Sequence, residues 1–147
     1  MRFGALAATA FLFAALAACA PTIKSPGPTV EAPRIAPDAF TATDGTRLPM
    51  RRWLPEGPPK AVILGVHGFN DYSNAFEDSG LYLRGKGVAT YAYDQRGFGA
   101  APNTGYWAGT EAYVDDLRAA TAALRAAYPD TPLFVMGESM GGAVAMA

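Results

Sequence analysis

The sequence has one cysteine, one histidine and almost no net charge. A single cysteine excludes a disulfide framework within a monomer. Twelve Lys and Arg face thirteen Asp and Glu, for a formal net charge of -1. That balance argues against a nucleic-acid binder and against an acidic disordered tail. The apolar run from Phe3 to Leu16 is short for a membrane-spanning helix. Phosphate-cradling glycine loops are missing too. The first crossover carries His67-Gly68-Phe69-Asn70 rather than Gly-x-Gly-x-x-Gly, and Gly97-Phe98-Gly99 lacks a third glycine at the needed spacing. No Gly-x-x-x-x-Gly-Lys-Ser/Thr run occurs. No nucleotide, metal or other cofactor is therefore expected.

What is present begins with an export signal. Met1-Arg2 supplies a positive start, Phe3 to Leu16 the apolar segment, and small Ala17 and Ala18 precede Cys19. Leu16-Ala17-Ala18-Cys19 resembles the lipobox of bacterial lipoproteins. The resemblance implies cleavage before Cys19, lipid on that cysteine and residence on a membrane of the cell envelope. A plain signal peptide, giving a periplasmic or secreted protein with Cys19 incidental, is the other reading, and a retained anchor a third. The chain then divides into residues 1–18 as signal, 19–38 as lipidated cysteine and tether, and 39–147 as a globular part. Pro21, Pro26, Pro28, Pro33 and Pro37 make the tether extended and solvated. A strap lying against the domain is its alternative.

Half of the chain's residues are hydrophobic, and the globular part has room for one core. Ala39 to Thr43 and Arg47 to Leu54 read as a hairpin around Asp44-Gly45, with Pro49 marking an edge or bulge. Arg51 and Arg52 read as a solvated edge, Trp53 as a packing residue. Ala61 to Val66 is a continuous apolar run, expected as a strand covered on both faces. A helix is predicted from about Asn74 to Leu83, presenting Phe76, Leu81 and Leu83, with Gly85 and Gly87 closing it. Val88 to Tyr93 is the next strand. Glu111 to Tyr128 is the clearest helix, with Val114, Leu117, Thr121, Leu124 and Tyr128 as its apolar stripe. Its Asp115 and Asp116 suit the positive end of the helix dipole. A short buried strand, Leu133 to Met136, comes last. Strands alternating with helices predict an α/β fold with a mostly parallel sheet and crossovers.

The chemistry gathers at Gly137-Glu138-Ser139-Met140-Gly141-Gly142. Gly137 and Gly141 flank Ser139 in a Gly-x-Ser-x-Gly turn between strand and helix, which lifts a serine hydroxyl to the top of a parallel sheet. Small neighbours are needed because the turn is tight. The helix beginning near Met140 aims its first amides at the place where negative charge develops in acyl transfer. The amide of Met140 is one expected oxyanion donor. The second is expected from the loop after Ala61 to Val66, where Phe69 is the candidate and Gly68 permits close backbone approach. His67 is the one histidine, but beside that loop it reads as a structural hydrogen-bonding residue rather than the base for Ser139. Asp94 reads as shaping its loop together with Arg96.

With these motifs in order, the chain resembles the α/β-hydrolase superfamily, particularly its monoacylglycerol lipase and lysophospholipase-like branch, over about Phe40 to Ala147. The matching runs are His67-Gly68-Phe69-Asn70-Asp71-Tyr72-Ser73, Tyr93-Asp94-Gln95-Arg96-Gly97-Phe98-Gly99 and Gly137 to Gly142. Glu138 departs from the pattern, since many members carry histidine before the nucleophile. The resemblance implies the N-terminal part of a three-layer α/β/α enzyme. It implies Ser139 as nucleophile, the Phe69 and Met140 amides as oxyanion hole, and an acyl-ester lipid as substrate. It implies an acid and then a histidine after the nucleophile. Met140 to Ala147 holds neither, so a longer protein is expected, in which the missing part completes the site. A peptidase or thioesterase of the same fold, or an inactive membrane-tethered remnant, are the alternatives.

Overall fold

The computed structural model describes residues 22–147; the apolar N-terminal run, the expected cleavage site and Cys19 lie outside the described residues. In chain order the strands are β1 (Arg34–Ile35), β2 (Ala39–Thr41), β3 (Arg47–Trp53), β4 (Ala61–Val66), β5 (Val88–Tyr93) and β6 (Leu133–Gly137). A 3-10 turn, Ser73–Phe76, leads into helix α1 (Glu77–Arg84); α2 is Thr110–Ala127 and α3 is Met140–Met146. The six strands form one sheet in the order β1-β2-β3-β5-β4-β6. The three pairings from β1 through β5 are antiparallel, and β4 lies parallel to both β5 and β6. A mixed sheet flanked by helices is thus the architecture, as the α/β expectation has it.

Alternation along β4 decides what each face receives. Val62, Leu64 and Val66 are fully buried in one cluster with Tyr91, Tyr93, Tyr113, Leu117 and Leu124, so α2 covers that face. On the other face the Phe76 ring lies over Gly65, and Trp53 lies over Gly80 of α1. A Cβ at Gly80 would come within 2.5 Å of the indole, which is why glycine stands inside this helix. Pro49 falls where β3 changes partners. Its carbonyl accepts the Asp94 amide at 2.8 Å, and the missing N–H falls where the β3–β5 pairing ends, at Met50 opposite Tyr93.

Several expectations need correcting. β6 is an edge strand rather than a buried one, and Phe134 and Val135 are exposed. The first helix starts later, at Glu77, and its Leu81 is exposed. The buried face of α2 is Ala112, Tyr113, Asp116, Leu117, Ala120 and Leu124, rotated from the predicted stripe. The rotation follows from polar contacts. The Tyr113 hydroxyl donates to the Arg96 carbonyl at 3.0 Å and accepts the Ala108 amide at 3.2 Å. The proline-rich stretch is extended and exposed over residues 22–30, yet it is strapped to the domain. Lys24 N–H donates to the Trp107 carbonyl at 2.8 Å, Gly27 N–H to the Asp44 carboxylate at 3.1 Å and Val30 N–H to the Thr43 carbonyl at 2.8 Å.

Arg96 does not pair with Asp94. Its guanidinium is held between two buried carboxylates, Asp116 (Nε to Oδ2 2.7 Å, Nη2 to Oδ1 2.9 Å) and Asp44 (Nη1 to Oδ2 2.8 Å, Nη2 to Oδ1 2.9 Å). One side chain so ties the β2–β3 turn, the loop after β5 and α2. Burial alone would push the Asp44 carboxyl up; hydrogen bonds from Arg96 and Thr46 outweigh that and hold it well below the usual carboxylate range. Asp116 is more deeply buried, and there burial opposes the guanidinium. Removing one partner of a buried pair leaves charge uncompensated, at a cost of about 3 kcal/mol. Asp116→Ala is expected to lower unfolding stability by that amount in urea titration, whereas Asp115→Ala, on the exposed face, should shift it by less than about 0.5 kcal/mol. Equal effects would mean that both act only through the helix dipole.

Candidate active site

The register of β6 against β4 builds the site. Val66 pairs with Gly137, and Glu138 N–H donates to the Val66 carbonyl at 3.0 Å. The two parallel strands therefore end side by side, and their trailing segments are brought together: His67-Gly68-Phe69 after β4, Ser139 after β6. Ser139 has φ 49° and ψ -112°, a backbone conformation costly for any residue with a Cβ, by about 1–3 kcal/mol. It is exposed, and its hydroxyl makes no capping bond to α3.

The flanking glycines are required by contact. A Cβ on Gly141 would collide with the Val66 carbonyl, and one on Gly137 would come within 2.5 Å of the Gly141 carbonyl oxygen. Gly68 differs from expectation. A Cβ there would meet Ser139 Cβ at 3.5 Å, an ordinary contact, so the loop lies against the serine turn without a steric demand for glycine. Among the backbone hydrogen bonds of the described residues, neither the Phe69 nor the Met140 amide is a donor. The Met140 amide directly follows Ser139, and Phe69 directly follows Gly68, which lies against the serine turn. The Phe69 ring is exposed and meets Phe98 edge-on at 5.5 Å.

His67 is completely buried. Its Nδ1 lies 2.8 Å from the Gly68 carbonyl, and its Nε2 accepts the Gln95 N–H at 3.0 Å. The Gln95 side-chain amide returns to the His67 carbonyl at 2.8 Å. These partners assign the neutral tautomer protonated at Nδ1 and leave no ring nitrogen for proton transfer. Sequence reasoning assigns no role to Gln95, which lies beyond the end of β5 between Asp94 and Arg96 and does not stand out from that polar run. Asp94 shapes the same region by accepting the Ser73 and Ala100 amides at 2.9 and 2.8 Å.

A cavity of about 690 Å³ opens beside the loop after β4, walled by Phe69, Asn70, Tyr72, Phe98, Tyr106 and Trp107 among others. Five of its walls are aromatic, Phe69, Tyr72, Phe98, Tyr106 and Trp107, which suits an apolar guest. Ser139 is not among them. Among the described residues no group of three His, Cys, Asp or Glu is placed to hold a metal ion.

Burial lowers the His67 pKa, against the Nδ1 bond to Gly68 and nearby carboxylates that raise it. The unfolded chain, near 6.5, then binds a proton that the folded chain refuses, so this contribution to stability is present above about pH 6.5 and is lost as pH falls below it. Urea unfolding between pH 7.5 and 5.5 should show stability declining by up to about 1.4 kcal/mol per pH unit from this residue. His67→Gln should flatten that slope; an unchanged slope would place the proton uptake elsewhere.

Residues 57–147 match the family described as serine aminopeptidase, S33. Human monoglyceride lipase is 33% identical over 104 residues, covering 70% of this chain and 34% of that protein. The monoacylglycerol lipase of Mycolicibacterium smegmatis is 26% identical over 74% of this chain and 39% of its own length. This chain thus spans roughly a third of the length of these curated relatives. Among solved structures, a thermostable carboxyl esterase from Bacillus coagulans superposes with TM-score 0.64 at 24% identity, over 79% of this chain and 39% of that one. An open-form lipase superposes with TM-score 0.62 at 25% identity, over 75% and 38%. Given the family match over more than half of its residues and this shared fold, the chain belongs to the serine aminopeptidase S33 family of the α/β-hydrolases.

Proposed function

We propose that the protein is a serine hydrolase that cleaves carboxylic esters of acyl lipids, of monoacylglycerol or lysophospholipid type, with Ser139 as nucleophile. The observation that carries this reading is the strained Ser139 backbone at a glycine-flanked strand-to-helix turn packed against the Gly68 loop; the Phe69 and Met140 amides are the oxyanion donors of this proposal. In the reaction the Ser139 Oγ attacks the ester carbonyl carbon while a histidine takes its proton. The carbonyl oxygen becomes an oxyanion that accepts hydrogen bonds from the two amides. The intermediate collapses with loss of the alcohol, which receives the proton from the histidine. Water, activated by the same histidine, then attacks the acyl-serine, and the acid leaves.

His67 cannot serve, because its nitrogens are committed to Gly68 and Gln95. This reading therefore calls for a histidine other than His67 as base, with an acid to orient it, and the relatives named above are longer than this chain. The lipid-ester substrate is favoured by the names of the relatives and by the aromatic cavity beside Phe69. Peptide-bond hydrolysis is the second reading, favoured by the family's description as a serine aminopeptidase.

In the whole protein, a fluorophosphonate probe should label Ser139, and Ser139→Ala should abolish both labelling and ester hydrolysis while leaving the fold intact. A folded whole protein that resists the probe would overturn the reading. Loss of one oxyanion donor should cost roughly 3–4 kcal/mol in transition-state stabilisation. Lipidation at Cys19 belongs to the same proposal, placing the enzyme on a membrane of the cell envelope. The mass of the mature N-terminus should show acylated Cys19, and an unmodified cysteine would leave a periplasmic or secreted enzyme instead.

A further inference from the structure

Gly97-Phe98-Gly99 is not a phosphate loop, yet both of its glycines are required. Gly97 and Gly99 have φ 77° and 55°, the left-handed region that disfavours a side chain. A Cβ on Gly97 would collide with the Tyr106 carbonyl oxygen, and one on Gly99 with the Asp94 carboxylate. Phe98 is bonded on both sides. Its N–H donates to the Gln95 carbonyl at 3.0 Å, and its own carbonyl accepts the Ala101 amide at 3.0 Å. The turn drives the Phe98 ring into the core cluster, where it is buried. There the ring meets His67 edge-on at 5.6 Å and 77°, and Phe69 edge-on at 5.5 Å and 75°. These two residues flank Gly68, which lies against Ser139. One side chain so braces both ends of the His67-Gly68-Phe69 segment. Behind it stands Tyr113, 6.3 Å away. Tyr113 is itself fixed, because its hydroxyl is tied to the Arg96 carbonyl and the Ala108 amide.

We propose that Phe98 is a positioning residue for ester hydrolysis, holding the Phe69 amide in place beside the Ser139 turn. The inference rests on the Ser139 hydrolase reading and adds the means by which one oxyanion donor is kept in position. The inner end of the segment needs no such help, since Gln95 bonds both the His67 ring and the His67 carbonyl. The outer end has no equivalent tie. Among the described residues the Phe69 amide makes no backbone hydrogen bond, and the aromatic partner of its ring is Phe98. An oxyanion hole works by having its donors in place before charge develops. A donor that hydrogen bonds do not hold must be held by packing, and Phe98 supplies that packing. It acts through the loop and not on the reacting atoms. Phe98 also stands in the cavity wall; a role confined to that wall would act on substrate binding, whereas a positioning role acts on turnover.

A double-mutant cycle on the whole protein tests this, with p-nitrophenyl butyrate as substrate. Phe98→Leu should lower kcat by about a hundredfold, the cost of misplacing such a group by about 1 Å, while KM stays within about twofold. Phe69→Ala, which lies outside the core cluster, should lower kcat in the same way. The double variant should fall no further than Phe98→Leu alone, because residues in contact do not add. Leu124→Ala, buried in the same cluster, is the stability control: it should lower Tm at least as much as Phe98→Leu and leave kcat unchanged. Fluorine NMR reads the contact without catalysis. With para-fluorophenylalanine at position 69, the ring-current shift from Phe98 should vanish in Phe98→Leu. A raised KM with kcat kept, additive losses in the double variant, or an unmoved fluorine resonance each overturns the proposal. If Phe98→Leu does not fold, an unchanged kcat in Phe69→Ala overturns it. Fluorophosphonate labelling of the unsubstituted protein tests the hydrolase reading apart. No labelling sinks that reading, whereas labelling together with an unchanged kcat in Phe98→Leu sinks this inference alone.

Discussion

The parallel pairing of β4 with β6, closed by the backbone contact of Gly141 against the Val66 carbonyl, is the constraint on which the site depends. It joins two chain segments far apart in sequence at one end of the sheet. Their register, Val66 opposite Gly137, leaves the chain after each strand no room to diverge. The turn after β6 can close only with Ser139 in a left-handed conformation, and α3 can begin only where residue 141 lacks a side chain. The strain at Ser139 is thus a consequence of packing two backbones together, and it holds the hydroxyl away from the helix it precedes.

A second set of polar contacts fixes the loops around that point. His67 and Gln95 exchange hydrogen bonds across the ends of β4 and β5, with the imidazole held neutral by burial. Arg96, one residue on, is clamped between Asp44 and Asp116 and draws in the hairpin turn and α2. Asp94 gathers the amides of Ser73 and Ala100. Three consecutive residues, Asp94, Gln95 and Arg96, so anchor three different parts of the chain. Buried charges and amides are costly unless satisfied, and each of these finds its partners in groups distant in sequence.

The strap changes the meaning of the proline-rich stretch. Prolines do make it extended and exposed, but extended backbone still offers N–H groups at Lys24, Gly27 and Val30 to acceptors on the domain. The stretch is therefore fixed against the domain from Lys24 to Val30. It brings Thr22 to the wall of the cavity beside the loop after β4.

The sequence alone was sufficient for what depends on local pattern. The apolar run of β4 and the Gly-x-Ser-x-Gly turn were legible, as were the α/β order and the reading of His67 as structural, because periodicity and turn chemistry are short-range. The helix α2 was legible as a helix but not in its buried face. Asp116 looked like its neighbour Asp115, and only Arg96, twenty residues away, separates them. The exposed edge at β6 depends on strand order, which apolar content does not encode. The pairing of Asp44 with Arg96 spans fifty-two residues, and the strap's attachment to Trp107 is likewise set by packing. These were decided by tertiary structure, because a buried charge or an unpaired amide takes whichever partner the fold brings within reach, and that partner's identity is not written in the spacing around it.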